Sequence, residues 1–319
     1  MRDLSLGPGH EFDIIRELRA RWGSLARGIG DDAAVLSLAR GDSLVVSVDT
    51  AIAGRHFRHE WLTPREIGYR AAAAALSDLA AMAARPIGVL VALAIPDAMR
   101  DRVLDIGDGI GEAAERAGAR IVGGNLSGAG ELSITTTVLG SVFTPLSRGG
   151  ARVGDRLFVT GRLGGPAAAI RALSSGVRIT DLDAALRERF VRPAPRLAEA
   201  RWLADRGATA AIDVSDGLVA DAGQLAAASG VRLELDAERV PCIAGAELEA
   251  ALTGGEEFEL LVTAPPSARL DAAEFERRFA LSLTDIGRVS SPDPPGGAAL
   301  VEVRGARIAG APGYDHFSR

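Results

Sequence analysis

Apolar positions along the chain recur with two periods, and the two periods trade places. From Glu11 to Trp22, the residues Phe12, Ile15, Leu18 and Trp22 fall at helical spacing and predict an amphipathic helix. Leu44 to Asp49 alternates with a period of two, the mark of a strand with one buried face. Thr63-Pro64-Arg65-Glu66 then starts a helix that runs to about Ala84. Thr63 is its N-cap, Pro64 takes the first helical position, and Glu66 closes a capping box. A strand is expected over Ile87–Ile95, a helix over Met99–Ala117, a short strand ending in Val122-Gly123-Gly124-Asn125, and a long strand over Ser133–Val142. The order strand, helix, strand, helix, strand, strand predicts an α+β domain with a mixed sheet.

The polar, glycine-rich stretch Leu146 to Asp155 interrupts the pattern and sets a boundary, giving domains 1–147 and 148–319. The second domain opens with a strand over Arg156–Gly161. Gly164-Gly165-Pro166 then starts a helix, whose free N–H groups suit a phosphate or an acidic side chain. Helical segments cover 181–206, broken by Pro193 and Pro195. Ile212 and Val214 end a buried strand, and Leu218–Ala228 reads as an apolar helix. A strand at Val231–Leu235 and a helix at Ala244–Leu252 follow. Thr253-Gly254-Gly255-Glu256 then leads directly into an alternating strand, with Glu257 and Glu259 on one face and Phe258 and Leu260 on the other. The expected fold is therefore α+β / α/β in two domains, the second an α/β domain.

Composition narrows the function. The 319 residues suffice for two cores. A net charge of −6 excludes a nucleic-acid binder that works through a broad basic face. One cysteine, Cys242, excludes an intrachain disulfide and a cysteine-based zinc site. The longest clean apolar run, Ile87–Ile95, is too short to span a membrane, and the first twelve residues hold no apolar core of signal-peptide length. A soluble cytoplasmic protein is expected, with neither nucleic acid nor membrane as a partner. All 36 basic residues are arginine. A P-loop and a protein-kinase fold both need a lysine on the phosphates, so a nucleotide here must be met by metal ions and arginine.

The chemistry-bearing residues sit where elements end. Ala211-Ile212-Asp213-Val214-Ser215-Asp216-Gly217 places two carboxylates and a hydroxyl on a strand-to-helix bend. Ser215 or Asp216 can cap the following helix, or the aspartates can hold Mg²⁺, which prefers carboxylate and water oxygens. Gly28-Ile29-Gly30-Asp31-Asp32 repeats the theme, as a ligand loop or a plain turn. Ser47-Val48-Asp49-Thr50 repeats it at a strand end. Asp78 lies within an alanine-rich helix, either paired or on a polar stripe. His56, in the loop Gly54–Phe57, meets an anionic group or bonds within its loop. Carboxylates gathered from both domains would repel one another unless magnesium ions bridged them to phosphates, which points to phosphoryl transfer. No nucleophile–base pair and no nucleophile elbow is present, so no protein side chain is expected to act as nucleophile or base.

The motifs GIGDDAAVL, SVDTAIAGRHF, LSDLAAMAARP, GGNLSG, RGGARVGD, AIDVSDGL, TGGEEFELL and the closing GYDHF are similar to those of the thiamine-monophosphate kinase family. That family lies in the superfamily of aminoimidazole ribonucleotide synthetase and selenophosphate synthetase. The resemblance runs from Gly28 to Phe317. It implies a two-domain synthetase-like fold whose N-terminal mixed sheets form a shared barrel in a homodimer, with ATP and substrate between domains. The implied reaction transfers the γ-phosphoryl of ATP to thiamine monophosphate, giving thiamine diphosphate and ADP. Asp31, Ser47, Asp49, Asp78, Asn125, Asp213 and Asp216 would carry or support several Mg²⁺ ions. Gly123, Gly124, Arg148 and Ser215 would contact ATP; His56, Glu256 and Tyr314 would face the thiamine phosphate. The resemblance also implies Asp where this chain has Asn125, a hydroxyl in some relatives at Val48, and Asp-Tyr at Glu257-Phe258. Two other readings stay open: the acidic loops shared across the superfamily suit a related ATP-using enzyme such as the aminoimidazole ribonucleotide cyclo-ligase, and Asn125 suits a non-catalytic nucleotide-binding dimer.

Overall fold

The structure is a computed structural model that describes residues 10–26, 29, 36–292 and 300–306. The chain divides into two compact units: residues up to 144 without 80–83, and residues from 145 onward together with 80–83.

In the first unit, helix α1 (His10–Trp22) precedes strand β1 (Ser43–Ile52), helix α2 (Pro64–Ala81), strand β2 (Arg85–Ile95), helix α3 (Val103–Ala117), and strands β3 (Ile121–Gly128) and β4 (Ser133–Val142). The sheet order is β1-β4-β2-β3, antiparallel except for the β2–β3 pair. The expected capping box forms: Glu66 accepts the Thr63 N–H at 2.8 Å, and the Thr63 hydroxyl accepts the Glu66 N–H at 3.3 Å. The helix expected from Met99 begins with a 3₁₀ segment, Asp97–Arg102, and becomes α-helical at Val103.

Register assigns the sheet's two faces. Val46, Leu139 and Gly88 share one row, and Val48, Thr137 and Leu90 the next, all on one face. Ser47, Val138 and Val89 make a row on the other face, and Asp49, Thr136 and Val91 the row beyond it. Helix α2 covers that second face: its Asp78 meets Ser47, and its Leu79 lies against Gly140 of β4. Ala72, Ala75, Leu76 and Leu79 of α2 are fully buried there. On the first face Leu44, Val46 and Val48 remain 50%, 54% and 60% exposed.

Glycine decides how α2 and α3 cross. A Cβ at Gly109 would fall 1.9 Å from the Arg65 carbonyl oxygen, and one at Gly68 would fall 2.1 Å from the Ile106 carbonyl. The backbones touch, which only glycine at both positions allows.

In the second unit, strand β5 (Arg156–Thr160) is followed by helices α4 (Gly165–Ser174), α5 (Ala184–Val191) and α6 (Leu197–Asp205), strand β6 (Ala210–Asp213) and helix α7 (Leu218–Ser229). Strand β7 (Arg232–Asp236), helix α8 (Leu248–Thr253), strand β8 (Leu260–Ala264), helix α9 (Ala272–Phe279), and strands β9 (Leu283–Ser290) and β10 (Val301–Arg304) complete it. The sheet order is β10-β7-β9-β5-β8-β6, and only β10–β7 is parallel. Leu157, Val159, Ile212, Leu233, Leu261 and Ile286 of the sheet bury against Leu218, Ala222 and Leu225 of α7.

Two expectations fail here for backbone reasons. The helix expected from Ala244 is confined to Leu248–Thr253, because Gly245 at φ 84° turns the chain first. The alternating strand expected from Glu257 does not form. Glu256 and Phe258 adopt φ of 61° and 51°, and β8 begins only at Leu260. A left-handed residue breaks the period of two, so Glu257, Phe258 and Glu259 are buried one after another.

Gly109→Ala is expected to destabilise the first unit by about 1–3 kcal/mol through overpacking. Gly130→Ala, whose Cβ would meet nothing within 4 Å, should stay within about 0.5 kcal/mol of the parent. Denaturant unfolding of both variants checks this; equal stabilities would show that the helices can move apart.

Candidate active site

In the first unit the sequence brings three oxygen-bearing side chains to one sheet face. Ser47 and Asp49 are two apart on β1 and so point the same way. Asp78 comes down from α2, and its Oδ2 accepts the Ser47 hydroxyl at 2.5 Å. The pairing answers the cost of a carboxylate in a buried helix. Asp49 Oδ1 accepts the Thr50 N–H at 2.7 Å, which orients the carboxylate; the strand end expected here is not one, because pairing with β4 carries β1 on to Ile52. Asn125 is placed differently. It pairs with Ala92, which pairs with Thr135, which pairs with Thr50, a row on the opposite face. Gly123 shares that exposed face, beside Leu90, and Gly124 follows it on β3.

In the second unit Asp213 ends β6 and is 3% exposed. The turn after it is held by a residue the sequence reading passed over. Asp221, one turn into α7, directs Oδ2 at the backbone N–H groups of Ser215, Asp216 and Gly217, at 3.0, 3.0 and 3.1 Å. Neither Ser215 nor Asp216 caps α7; the N-cap is Gly217, and the carboxylate of Asp221 satisfies the turn from inside the helix. Burial and the neighbouring Asp213 push the Asp221 carboxyl up to about 7. A lone carboxylate within an apolar helix was the signal. The same signal marks Asp78.

The glycine–glutamate loop lies alongside this turn. The Glu256 N–H donates to the Ser215 carbonyl at 2.7 Å, the Phe258 N–H to Val214 at 2.8 Å, and the Val214 N–H to Glu259 at 2.7 Å. Glu256 is half-buried. Its two neighbouring acids are not solvated, because arginines from the helices reach them. Arg189 of α5 donates to the Glu257 carbonyl at 2.8 Å, lies 3.2 Å from its carboxylate, and meets Glu259 Oε1 at 2.8 Å. Arg196, the N-cap of α6, donates through Nε to Glu259 Oε2 at 2.8 Å and through Nη2 to Oε1. Thr160 donates to Glu259 Oε2 at 2.6 Å, and the Gly164 N–H at the start of α4 donates to Glu257. An acidic side chain, not a phosphate, therefore takes that helix N-terminus. Burial pushes Glu257 up to about 7, against the pull of Arg189 and the Gly164 N–H. Nothing in the spacing around Pro193 and Pro195 marked Arg189 and Arg196 as partners of a loop some 60 residues away.

The remaining sequence candidates have these positions. His56 Nδ1 accepts the Ile52 N–H at 3.1 Å, so the ring is oriented by its own loop with Nδ1 unprotonated. Arg148 is exposed; its carbonyl accepts the Ser229 hydroxyl at 2.6 Å, which ties its backbone to the end of α7. Asp31 and Tyr314 lie outside the described residues. Among the described residues no group of three or more His, Cys, Asp or Glu side chains is arranged as a complete metal cage. Mg²⁺ does not require one: it takes one or two carboxylates and completes its octahedron with water and phosphate. The Ser47–Asp49–Asp78 group and the Asp213–Asp216 turn each fit that donor set.

Comparison with known proteins gives the site its family. Residues 30–142 match the AIR synthase related protein N-terminal domain, and residues 152–295 its C-terminal domain. The thiamine-monophosphate kinase of Escherichia coli O157:H7 is 34% identical over 96% of this chain and 96% of its own. The chain belongs to the thiamine-monophosphate kinase family. The crystal structure of that kinase from Stenotrophomonas maltophilia K279a superposes with a TM-score of 0.82 at 36% identity, covering 93% of this chain and 97% of that one. AaThiL complexed with AMPPCP and TMP superposes at 0.75 with 29% identity, covering 99% and 100%. Both family domains have mixed sheets here, which the order of strands and helices predicted for the first. No described helix is long and apolar enough to cross a membrane.

The buried Glu257 carboxyl sets a pH dependence. Its folded value, about 7, exceeds the ordinary 4.5, so the folded state binds the proton more tightly. Stability contributed by that proton is present below about 4.5 and is lost as the pH rises to about 7. Relative to Glu257→Gln, the parent's unfolding midpoint in guanidinium should fall between pH 5 and 7 and level off above 8. A constant difference across this range would show that Glu257 is ionised throughout.

Proposed function

We propose that this chain phosphorylates thiamine monophosphate with ATP, giving thiamine diphosphate and ADP. The observation that carries this is the match to thiamine-monophosphate kinases over 96% of the chain. The likeness to AaThiL complexed with AMPPCP, a non-hydrolysable ATP analogue, and TMP supports both substrates. In the transfer an oxygen of the thiamine phosphate attacks the γ-phosphorus, and the bond to the ADP oxygen breaks. A phosphate monoester with a second pKa of about 6 is already largely ionised at neutral pH, so the acceptor needs no protein base. That accords with a site that offers acids, arginine and backbone donors but no nucleophile–base pair.

Within this reading Ser47, Asp49 and Asp78 of the first unit, and Asp213 and Asp216 of the second, hold magnesium. Bound there, magnesium neutralises the phosphate charge that would otherwise keep two anions apart. Asp221 keeps the Asp213–Asp216 turn in shape. Asn125 stands on the other sheet face, so its missing charge leaves the Ser47–Asp49–Asp78 set intact. Arg148 and Ser215, with Gly123 and Gly124, serve ATP. His56 and Glu256 serve thiamine monophosphate, whose cationic thiazolium suits an acidic neighbour. Asp31 and Tyr314 complete the two sets.

We further infer a homodimer joined through the open face of the first sheet. Leu44, Val46 and Val48 present an apolar row on an edge strand, where a monomeric protein would carry charge.

Purified protein with ATP, Mg²⁺ and thiamine monophosphate is expected to form thiamine diphosphate, and EDTA to abolish the reaction. Asp49→Asn and Asp213→Asn should each lower kcat by roughly 100-fold or more, the scale of losing a charge-stabilising group. Full activity of both variants would remove these carboxylates from the site; no product from the parent would remove the assignment. Val46→Asp should convert the dimer to monomer in sedimentation equilibrium, and an unchanged mass would place the contact elsewhere.

A further inference from the structure

The arginine–glutamate cluster behind the glycine–glutamate loop is built to hold one backbone shape. Glu256 and Phe258 are both left-handed, and neither is glycine. Between them Glu257 is drawn inward by Arg189 and the Gly164 N–H. Just past them Glu259 is gripped by Arg189, Arg196 and Thr160. The side chains are buried: Glu257 is 1% and Glu259 0% exposed. Gly161 completes the fit, since a Cβ there would lie 2.3 Å from Glu259 Oε1.

Arg189 touches both glutamates. It also takes the Glu257 carbonyl oxygen. Its planar fork therefore fixes the spacing of the two carboxylates and the orientation of the peptide between them. A lysine ammonium, a single point of charge, cannot bridge all three acceptors in that geometry. The residue whose direction this spacing sets is Glu256, the half-buried acid immediately before the clamp.

We propose that Arg189 is a positioning residue for thiamine monophosphate: it holds the 256–259 loop in its left-handed form and so aims Glu256 at the substrate. This rests on the reading of Glu256 as a substrate contact. ATP is assigned to Arg148, whose backbone is tied to Ser229, and to Ser215, whose carbonyl accepts the Glu256 N–H but whose own N–H is held by Asp221. With Asp221 holding the Ser215 turn, the effect of Arg189 falls mainly on thiamine monophosphate.

The test compares Arg189→Met, Arg189→Lys, Glu256→Gln and the double variant Arg189→Met/Glu256→Gln, with KM for each substrate, kcat and the melting temperature. Arg189→Met is expected to raise KM for thiamine monophosphate roughly tenfold or more, the cost of a small misplacement, while KM for ATP stays within about twofold. Arg189→Lys should recover only part of the loss, and the double variant should be no worse than Glu256→Gln alone. Should Arg189→Met fail to fold, Arg189→Lys carries the same comparison. Equal rises in both KM values, no rise in either, or losses that multiply in the double variant would overturn the positioning role. Glu256→Gln with an unchanged KM for thiamine monophosphate would overturn the reading of Glu256, and the proposal with it. Failure of the positioning role alone would leave Glu256→Gln impaired.

Discussion

The second unit depends on a splice between two loops. The chain leaving β6 and the chain entering β8 exchange backbone hydrogen bonds at Val214, Ser215, Glu256, Phe258 and Glu259. This continues the β6–β8 pairing beyond the ends of both strands, at the point where Asp213, Ser215 and Asp216 are displayed. Two non-glycine residues must be left-handed for it to form, at a cost of roughly 1–2 kcal/mol each. Buried ion pairs offset that cost in a particular way. Such pairs add little net stability over apolar packing, yet removing one partner strands a charge. They penalise every other loop shape more than they favour this one.

Each half of the splice is kept by a buried carboxylate. Asp221 collects three N–H groups of the 215–217 turn; Glu259 collects two arginines and a threonine. The raised values of Asp221 and Glu257 report first the burial of these carboxyls and, for Asp221, next the neighbouring Asp213.

The absence of lysine suits this design. A guanidinium spans two carboxylates and a carbonyl from one side chain, as Arg189 does, and stays charged when buried. An ammonium in the same place would lose acceptors and, being desolvated, part of its charge.

Periodicity and end signals by themselves determined the order of elements, the Thr63–Glu66 cap and the mixed first sheet, because those depend on interactions within a few residues. The aspartates at element ends were legible for the same reason: a carboxylate is conspicuous where strands stop. The tertiary structure decided what those groups meet. It joined Ser47 to Asp78, turned Asn125 to the opposite face, and sent Asp221 back to its own helix start. It also brought Arg189 and Arg196 to Glu257 and Glu259, replacing an expected alternating strand by a left-handed loop. A local pattern carries the intrinsic preference of each residue. It cannot carry the partner that makes an unfavourable conformation, or a buried charge, the lower-energy choice.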